Sequence, residues 1–140
     1  FRFEVDASST LTVKLVAGTA ELFGVEMAPQ QTYSFAGPAQ EALFSWHGCT
    51  LSLGGECRHS YVASETPMRS YLELHAMLEQ RRAAAAASGG KAPRVFVTGP
   101  TDTGKASLCR LLANYATRAG RPVTLVELDV GRGGQASMPG

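Results

Sequence analysis

Arg94-Val95-Phe96-Val97-Thr98-Gly99-Pro100-Thr101-Asp102-Thr103-Gly104-Lys105-Ala106-Ser107 joins an apolar run to a glycine-bounded loop that ends in lysine. The apolar run, lacking polar alternation, reads as a strand buried on both faces of a parallel sheet. From about Lys105 to Arg118, Leu108, Leu111, Leu112, Tyr115 and Ala116 share one helical face, and Gly120 falls just past the helix end. Val123 to Leu128 reads as the next strand, so strand, helix and strand predict a right-handed parallel unit. Gly99 to Ala106 then lies where a Walker A loop belongs. Its glycines let backbone N–H groups converge on a β-phosphate, the helix N-terminus adds partial positive charge, and Lys105 reaches the β and γ oxygens. The predicted nucleotide-binding residues are Gly99, Asp102, Thr103, Gly104, Lys105, Ala106 and Ser107.

One position departs from the pattern. After the lysine the motif calls for Ser or Thr, whose hydroxyl completes a Mg²⁺ shell, and here stands Ala106. Ser107 is displaced by roughly 100° around the helix and does not take the same place. Nucleotide affinity rests mostly on the loop amides and Lys105, so ATP binding is expected, with Mg²⁺ binding weakened. Asp129 closes the second strand at the edge where ligands of open α/β sheets collect, and is the candidate for a metal-water contact or a base acting on an attacking hydroxyl. Lys105 and Asp129 are thus the catalytic candidates. Glu127, inside the strand, is expected to pair with a helix residue.

Upstream, short β-type runs follow one another: Phe1 to Val5, Leu11 to Val16, Ala20 to Phe23, Thr32 to Phe35, Ala42 to Trp46, Thr50 to Leu53 and Cys57 to Val62. Gly and Pro punctuate them, which predicts an all-β sandwich or barrel, with Gly54-Gly55 as a two-residue hairpin turn. Leu11, Val13 and Leu15 define a half-buried strand. From Pro67 the spacing becomes helical through Met68, Tyr71, Leu72, His75, Met77 and Leu78, with Ser64 to Thr66 as caps and the helix running into the Ala83 to Ala87 tract. Ser88 to Pro93 is a flexible joint. The expected fold is an α/β multidomain fragment: an all-β sandwich over residues 1–66, a helix and linker over 67–92, and the first β-α-β of an ATP-binding domain over 93–140.

The chain has 140 residues, 44% hydrophobic and 18% charged, enough to bury a core. Its net charge of +1 gives no overall footprint for nucleic acid or an anionic membrane. No apolar stretch approaches the roughly 20 residues of a membrane span, so a soluble chain is expected. Three cysteines without a CxxC pair read as reduced intracellular thiols. The start at Phe1 predicts a piece of a longer protein. His47, Cys49, Cys57 and His59 invite a zinc site, but alternation about the expected hairpin separates the cysteines, and structural thiols are the favoured reading. Cys109 reads as packing, Trp46 as a buried sandwich residue rather than an RNA stacking platform, and Arg58, Arg81 and Arg82 as a solvated face.

Several stretches together resemble one family: FRFEV at Phe1 to Val5, GTAELFGVE at Gly18 to Glu26, FSWHGC at Phe44 to Cys49, YVASETPM at Tyr61 to Met68, YLELHAMLEQRR at Tyr71 to Arg82, PRVFVTGPTDTGKASLCRLLANYATR at Pro93 to Arg118, and VELDVG from Val126. This is the Clp family of P-loop polynucleotide 5′-hydroxyl kinases, nuclear proteins that also serve in the pre-mRNA cleavage and polyadenylation machinery. The resemblance implies a β domain followed by the opening of a P-loop domain, with a β-domain lysine on the adenine side at the position of Gln40. It also implies a DxGQ-like stretch where this chain reads Asp129-Val130-Gly131-Arg132, with Gln135 following. Since the departures all touch nucleotide or metal, the resemblance implies an ATP-binding nuclear subunit that holds its nucleotide as a structural ligand beside other cleavage factor subunits. The alternative is an active RNA 5′-hydroxyl kinase, with RNA as substrate of the longer protein and no membrane partner.

Overall fold

A computed structural model describes residues 1–128. The chain divides between Glu65 and Thr66 into two compact units. The first holds eight strands: β1 (Arg2–Val5), β2 (Thr10–Gly18), β3 (Glu21–Leu22), β4 (Val25–Glu26), β5 (Thr32–Ala36), β6 (Ala39–Phe44), β7 (Cys49–Gly55) and β8 (His59–Tyr61). They form a five-stranded sheet in the order β4-β3-β6-β1-β8 and a three-stranded sheet in the order β5-β2-β7. Every pairing is antiparallel.

Phe3, Val5 and Leu43 from the larger sheet meet Leu11, Val13 and Leu15 from the smaller, with Ala20 and Met27 completing the core. The alternation read along β2 is the alternation of burial. Phe3 and Phe35 meet edge to face at 5.0 Å, the offset geometry that ring quadrupoles favour. At the end of β2, Leu15 faces Leu51 but Ala17 faces Thr50, so Val16 is an extra residue, a β-bulge.

Two expectations for this unit need correction. Gly54-Gly55 is not a hairpin turn: both glycines lie in β7, facing Thr12 and Leu11 of β2. Their role is close approach, since a Cβ on Gly54 would meet Thr12 Oγ1 at 2.8 Å, and one on Gly55, whose φ is +86°, would run into the Thr10 carbonyl. Trp46 is not buried. It is 43% exposed and stands edge to face on Phe44, with ring centroids 4.8 Å apart.

The second unit contains α1 (Met68–Ser88) and α2 (Lys105–Arg118). Pro67 is the N-cap of α1, one position before the first turn where its fixed φ was expected, and Thr66 Oγ1 accepts from the Met68 amide at 3.4 Å. Met68, Tyr71, Leu74, His75 and Leu78 form the inward stripe, so Leu74 replaces Leu72 and Met77, which are both 41% exposed. Gly89 ends the helix at φ +68°, which glycine adopts without Cβ strain.

Helix α2 has the predicted bounds. At its end the Gly120 amide donates to the Thr117 carbonyl and the Arg121 amide to the Ala116 carbonyl, both at 2.9 Å, the paired bonds of a Schellman motif. The flanking segments differ from expectation: neither 94–98 nor 123–128 joins a strand ladder among the described residues. Phe96 is 76% and Leu128 71% exposed. Parallel strands draw their hydrogen bonds entirely from neighbouring strands, and a continuous apolar run is buried only when both faces are covered. The sandwich, the helix that follows it and the loop-helix opening of the α/β part are all in place.

Candidate functional site

The loop from Gly99 to Gly104 runs into α2 through backbone that side chains rarely adopt. Asp102 has φ +62° and Gly104, the N-cap, +81°. Asp tolerates the left-handed region better than most residues, and glycine has no Cβ to clash. A chain turned in this way can gather its amide groups into an anion-binding nest. The first bond of α2 runs from the Leu108 amide to the Gly104 carbonyl at 2.9 Å, and no side chain caps the helix. The amides of Lys105, Ala106 and Ser107 therefore precede the helical ladder and remain available to an anion.

Two side chains converge on the loop from within. Thr103 Oγ1 donates to the Pro100 carbonyl at 2.9 Å, and Lys105 Nζ donates to the same oxygen. The lysine ammonium is thus turned back onto the loop, held by a neutral carbonyl oxygen that an anionic phosphate oxygen would outcompete. The residues fit a nucleotide's phosphates: uncapped helix amides, a lysine turned across them, and no acidic side chain in the first turn of α2. At the next position Ala106 offers a methyl where the motif's hydroxyl ligand to magnesium belongs.

The structure brings together the predicted Gly99, Asp102, Thr103, Gly104, Lys105, Ala106 and Ser107 in one loop and first helical turn. Asp129, Arg132 and Gln135 lie outside the described residues. Glu127 is exposed and in no ladder, so the expected place inside a strand is not found. Gln40 lies on β6 of the first unit, where its Nε2 donates to Glu4 Oε1 at 3.3 Å. Glu4 is also 3.9 Å from Arg58 Nη1. The Pro100 carbonyl escaped the sequence reading altogether, since no residue type marks a main-chain oxygen as an acceptor.

Behind the loop, α2 is held by α1. The His75 ring lies 5.4 Å from that of Tyr115, and Glu79 accepts from both Arg82 and Arg121, the latter at 3.0 Å. Burial works to raise the Glu79 pKa, but the Arg121 and Arg82 guanidiniums outweigh it and hold the carboxyl below its usual range. Arg82 is accordingly bound rather than part of a solvated face. Burial pushes the Cys109 thiol up, away from the reactive thiolate, in keeping with a packing role.

Comparison with known proteins adds three findings. Residues 1–85 match the N-terminal beta-sandwich domain of polyadenylation factor, and residues 99–140 match the P-loop of mRNA cleavage and polyadenylation factor CLP1. The polyribonucleotide 5′-hydroxyl-kinase Clp1 of Gallus gallus is 50% identical and that of Homo sapiens 48%, each over 139 residues, 99% of this chain and 32% of the relative. The chain thus spans about a third of the length of the curated relatives it matches. A solved structure of Clp1p with Pcf11p, described as explaining ATP loss in a glycine-to-arginine mutant, superposes with a TM-score of 0.66 at 28% identity, over 84% of this chain and 28% of that one.

Proposed function

The chain belongs to the Clp1 family of mRNA cleavage and polyadenylation factors, and on that footing we propose that it holds ATP as a structural ligand within a nuclear pre-mRNA 3′-end processing complex. The observation that supports this reading is a Walker A-type loop that keeps its glycines and Lys105 and carries a methyl at the next position. Gly99, Asp102, Thr103, Gly104, Ala106 and Ser107 give the phosphates their amide cradle, and Lys105 neutralises them. A ligand bound only by the folded state stabilises it by RT ln(1+[L]/Kd), about 2.7 kcal/mol at a hundredfold excess over Kd. Other cleavage factor subunits are the partners, by analogy with Pcf11p on Clp1p.

The second reading, supported by the name of the relatives, is transfer of the γ-phosphate to the 5′-hydroxyl of RNA. There Lys105 steadies the charge on the transferred group and Asp129 accepts the hydroxyl proton. Both readings are tested on the full-length protein. ATP that survives purification, and is lost in Lys105→Ala, supports the structural ligand. Transfer to 5′-hydroxyl RNA above the Lys105→Ala background selects the kinase, and failure to bind ATP at all defeats both.

A further inference from the structure

The two sheets of the first unit present four edges, β4 and β8 on the larger, β5 and β7 on the smaller. Natural edges are kept from pairing with other chains by shortness, charge, proline or cover. β4 has two residues and carries Glu26, and β8 has three. β5 has five, with its rings Tyr33 and Phe35 packed on the core. β7 has seven, Cys49 to Gly55, and holds neither a charge nor a proline. Its Leu53 lies opposite the buried Val13, in the inward row, and is nevertheless 46% exposed.

The ladder to β2 fixes which backbone groups of β7 are free. The Glu56 amide donates to the Thr10 carbonyl at 3.3 Å, so by alternation Glu56, Gly54 and Ser52 turn their backbone groups toward β2. Those of Leu51 and Leu53 point the other way, where no strand stands among the described residues. In the outward row, Ser52 lies opposite Lys14 of β2. Lys14 has no acidic partner among the described residues. We propose that β7 receives an extended segment of a partner polypeptide as a further strand, with an acidic residue between two apolar ones. In antiparallel register the apolar residues lie opposite Leu51 and Leu53, exchange backbone hydrogen bonds with them and cover Leu53. The acid lies opposite Ser52 on the outward face. Two strand spacings, about 10 Å, separate its backbone from that of Lys14, a gap that the lysine and glutamate side chains close over the small Ser52. Charge selects this occupant over a second copy of the chain. Two-fold pairing of β7 with itself would set Leu51 against Leu53, but it would bring two Lys14 rows together with no acid between them. The inference does not depend on nucleotide binding by the loop.

The probe is fluorescein-Gly-Gly-Thr-Val-Glu-Val-Thr-amide, titrated with the full-length protein and followed by fluorescence polarisation. Binding should saturate and weaken as salt is raised. A peptide with Gln in place of Glu should bind about threefold more weakly, the size of an exposed ion pair, and Lys14→Gln protein should bind the two peptides alike. N-methylation of both valines removes the donors to β7 and keeps the side chains, and should lower affinity by at least about tenfold. Leu53→Lys sets a charge in the inward row of the edge and should abolish binding. Lys14→Gln, on the outward face, keeps the test independent of whether Leu53→Lys folds. Equal affinity for the N-methylated peptide, a preference for Glu that survives Lys14→Gln, or undiminished binding to folded Leu53→Lys protein would each overturn the proposal. So would no saturation by about 0.5 mM protein, or a protein that dimerises through β7 and takes no peptide.

Discussion

The first unit completes its core within 65 residues, whereas the second leaves Phe96, Val126 and Leu128 largely in solvent. Both are rich in apolar residues, so the difference lies in how their segments find hydrogen-bond partners. The antiparallel strands of the first unit find their partners within it: β2 takes β5 on one edge and β7 on the other, and Phe3, Val5 and Leu43 of the facing sheet cover Leu11, Val13 and Leu15. A run such as Val95-Phe96-Val97 expects partners on both sides and layers on both faces. What the second unit does close by itself is helical, because α1 and α2 satisfy their backbones internally and need only each other's side chains.

If the first unit is self-sufficient, damage to its core should stay there. Leu15→Ala, at a residue 1% exposed, should lower its stability by about 2–5 kcal/mol in denaturant titrations. The helical signal of the second unit should keep its own midpoint, and a common shift of both transitions would break the contrast. Gly55→Ala should cost about 1–3 kcal/mol through left-handed backbone alone, with the Cβ collision against Thr10 adding to it. A neutral result there would mean that β7 does not need its close approach to β2.

For the second unit the sharper probes concern the loop and the helix pair. Ala106→Ser restores the missing hydroxyl. If the remainder of a kinase site is intact in the full-length protein, Mg²⁺-dependent transfer should rise about tenfold, a barrier change near 1.4 kcal/mol, with metal-free ATP affinity unchanged. An unchanged rate would move the defect to Gln40, Arg132 or elsewhere.

The smallest effect is at His75, whose pKa is lowered chiefly by burial, Arg82 adding to the lowering and Glu79 opposing it. The fold prefers the neutral ring. That contribution is complete above the ordinary value of 6.5 and is lost as pH falls through the depressed folded value. Glu79, also lowered, loses its share only below about 4.5. His75→Gln should therefore flatten the dependence of second-unit stability between about pH 7 and pH 5 and leave the first unit unaffected. A slope that survives the substitution would assign it to another group.

Much of this was legible wherever local chemistry decides the outcome. The period-two pattern of β2, the bounds of α2 set by Gly104 and Gly120, and the loop between them are written in a few residues. Gly54-Gly55 misled because a glycine pair signals a turn and a close backbone approach equally well, and only the position of Thr12 distinguishes them. Trp46 misled because burial is a property of what lies opposite: with Glu21 and Glu26 beside it, the ring sits at a rim. Leu72 and Leu74 both fit a helical period, and the choice between them depends on where α2 packs. The convergence of Thr103 and Lys105 on one carbonyl required backbone torsions that no residue name carries.

The bulge at Val16 has a consequence for how this strand can change over generations. Val16 faces nothing on β7, yet Leu15 before it and Ala17 after it are both paired. The ladder therefore contains one residue more than it uses. Losing the Val13 codon would turn every later side chain of β2 to the opposite face, whereas losing the Val16 codon would straighten the strand and keep the pairs on either side. A codon-deletion scan along β2 should find Val16 alone tolerated between Leu11 and Ala17, a silent slot in an otherwise length-locked strand.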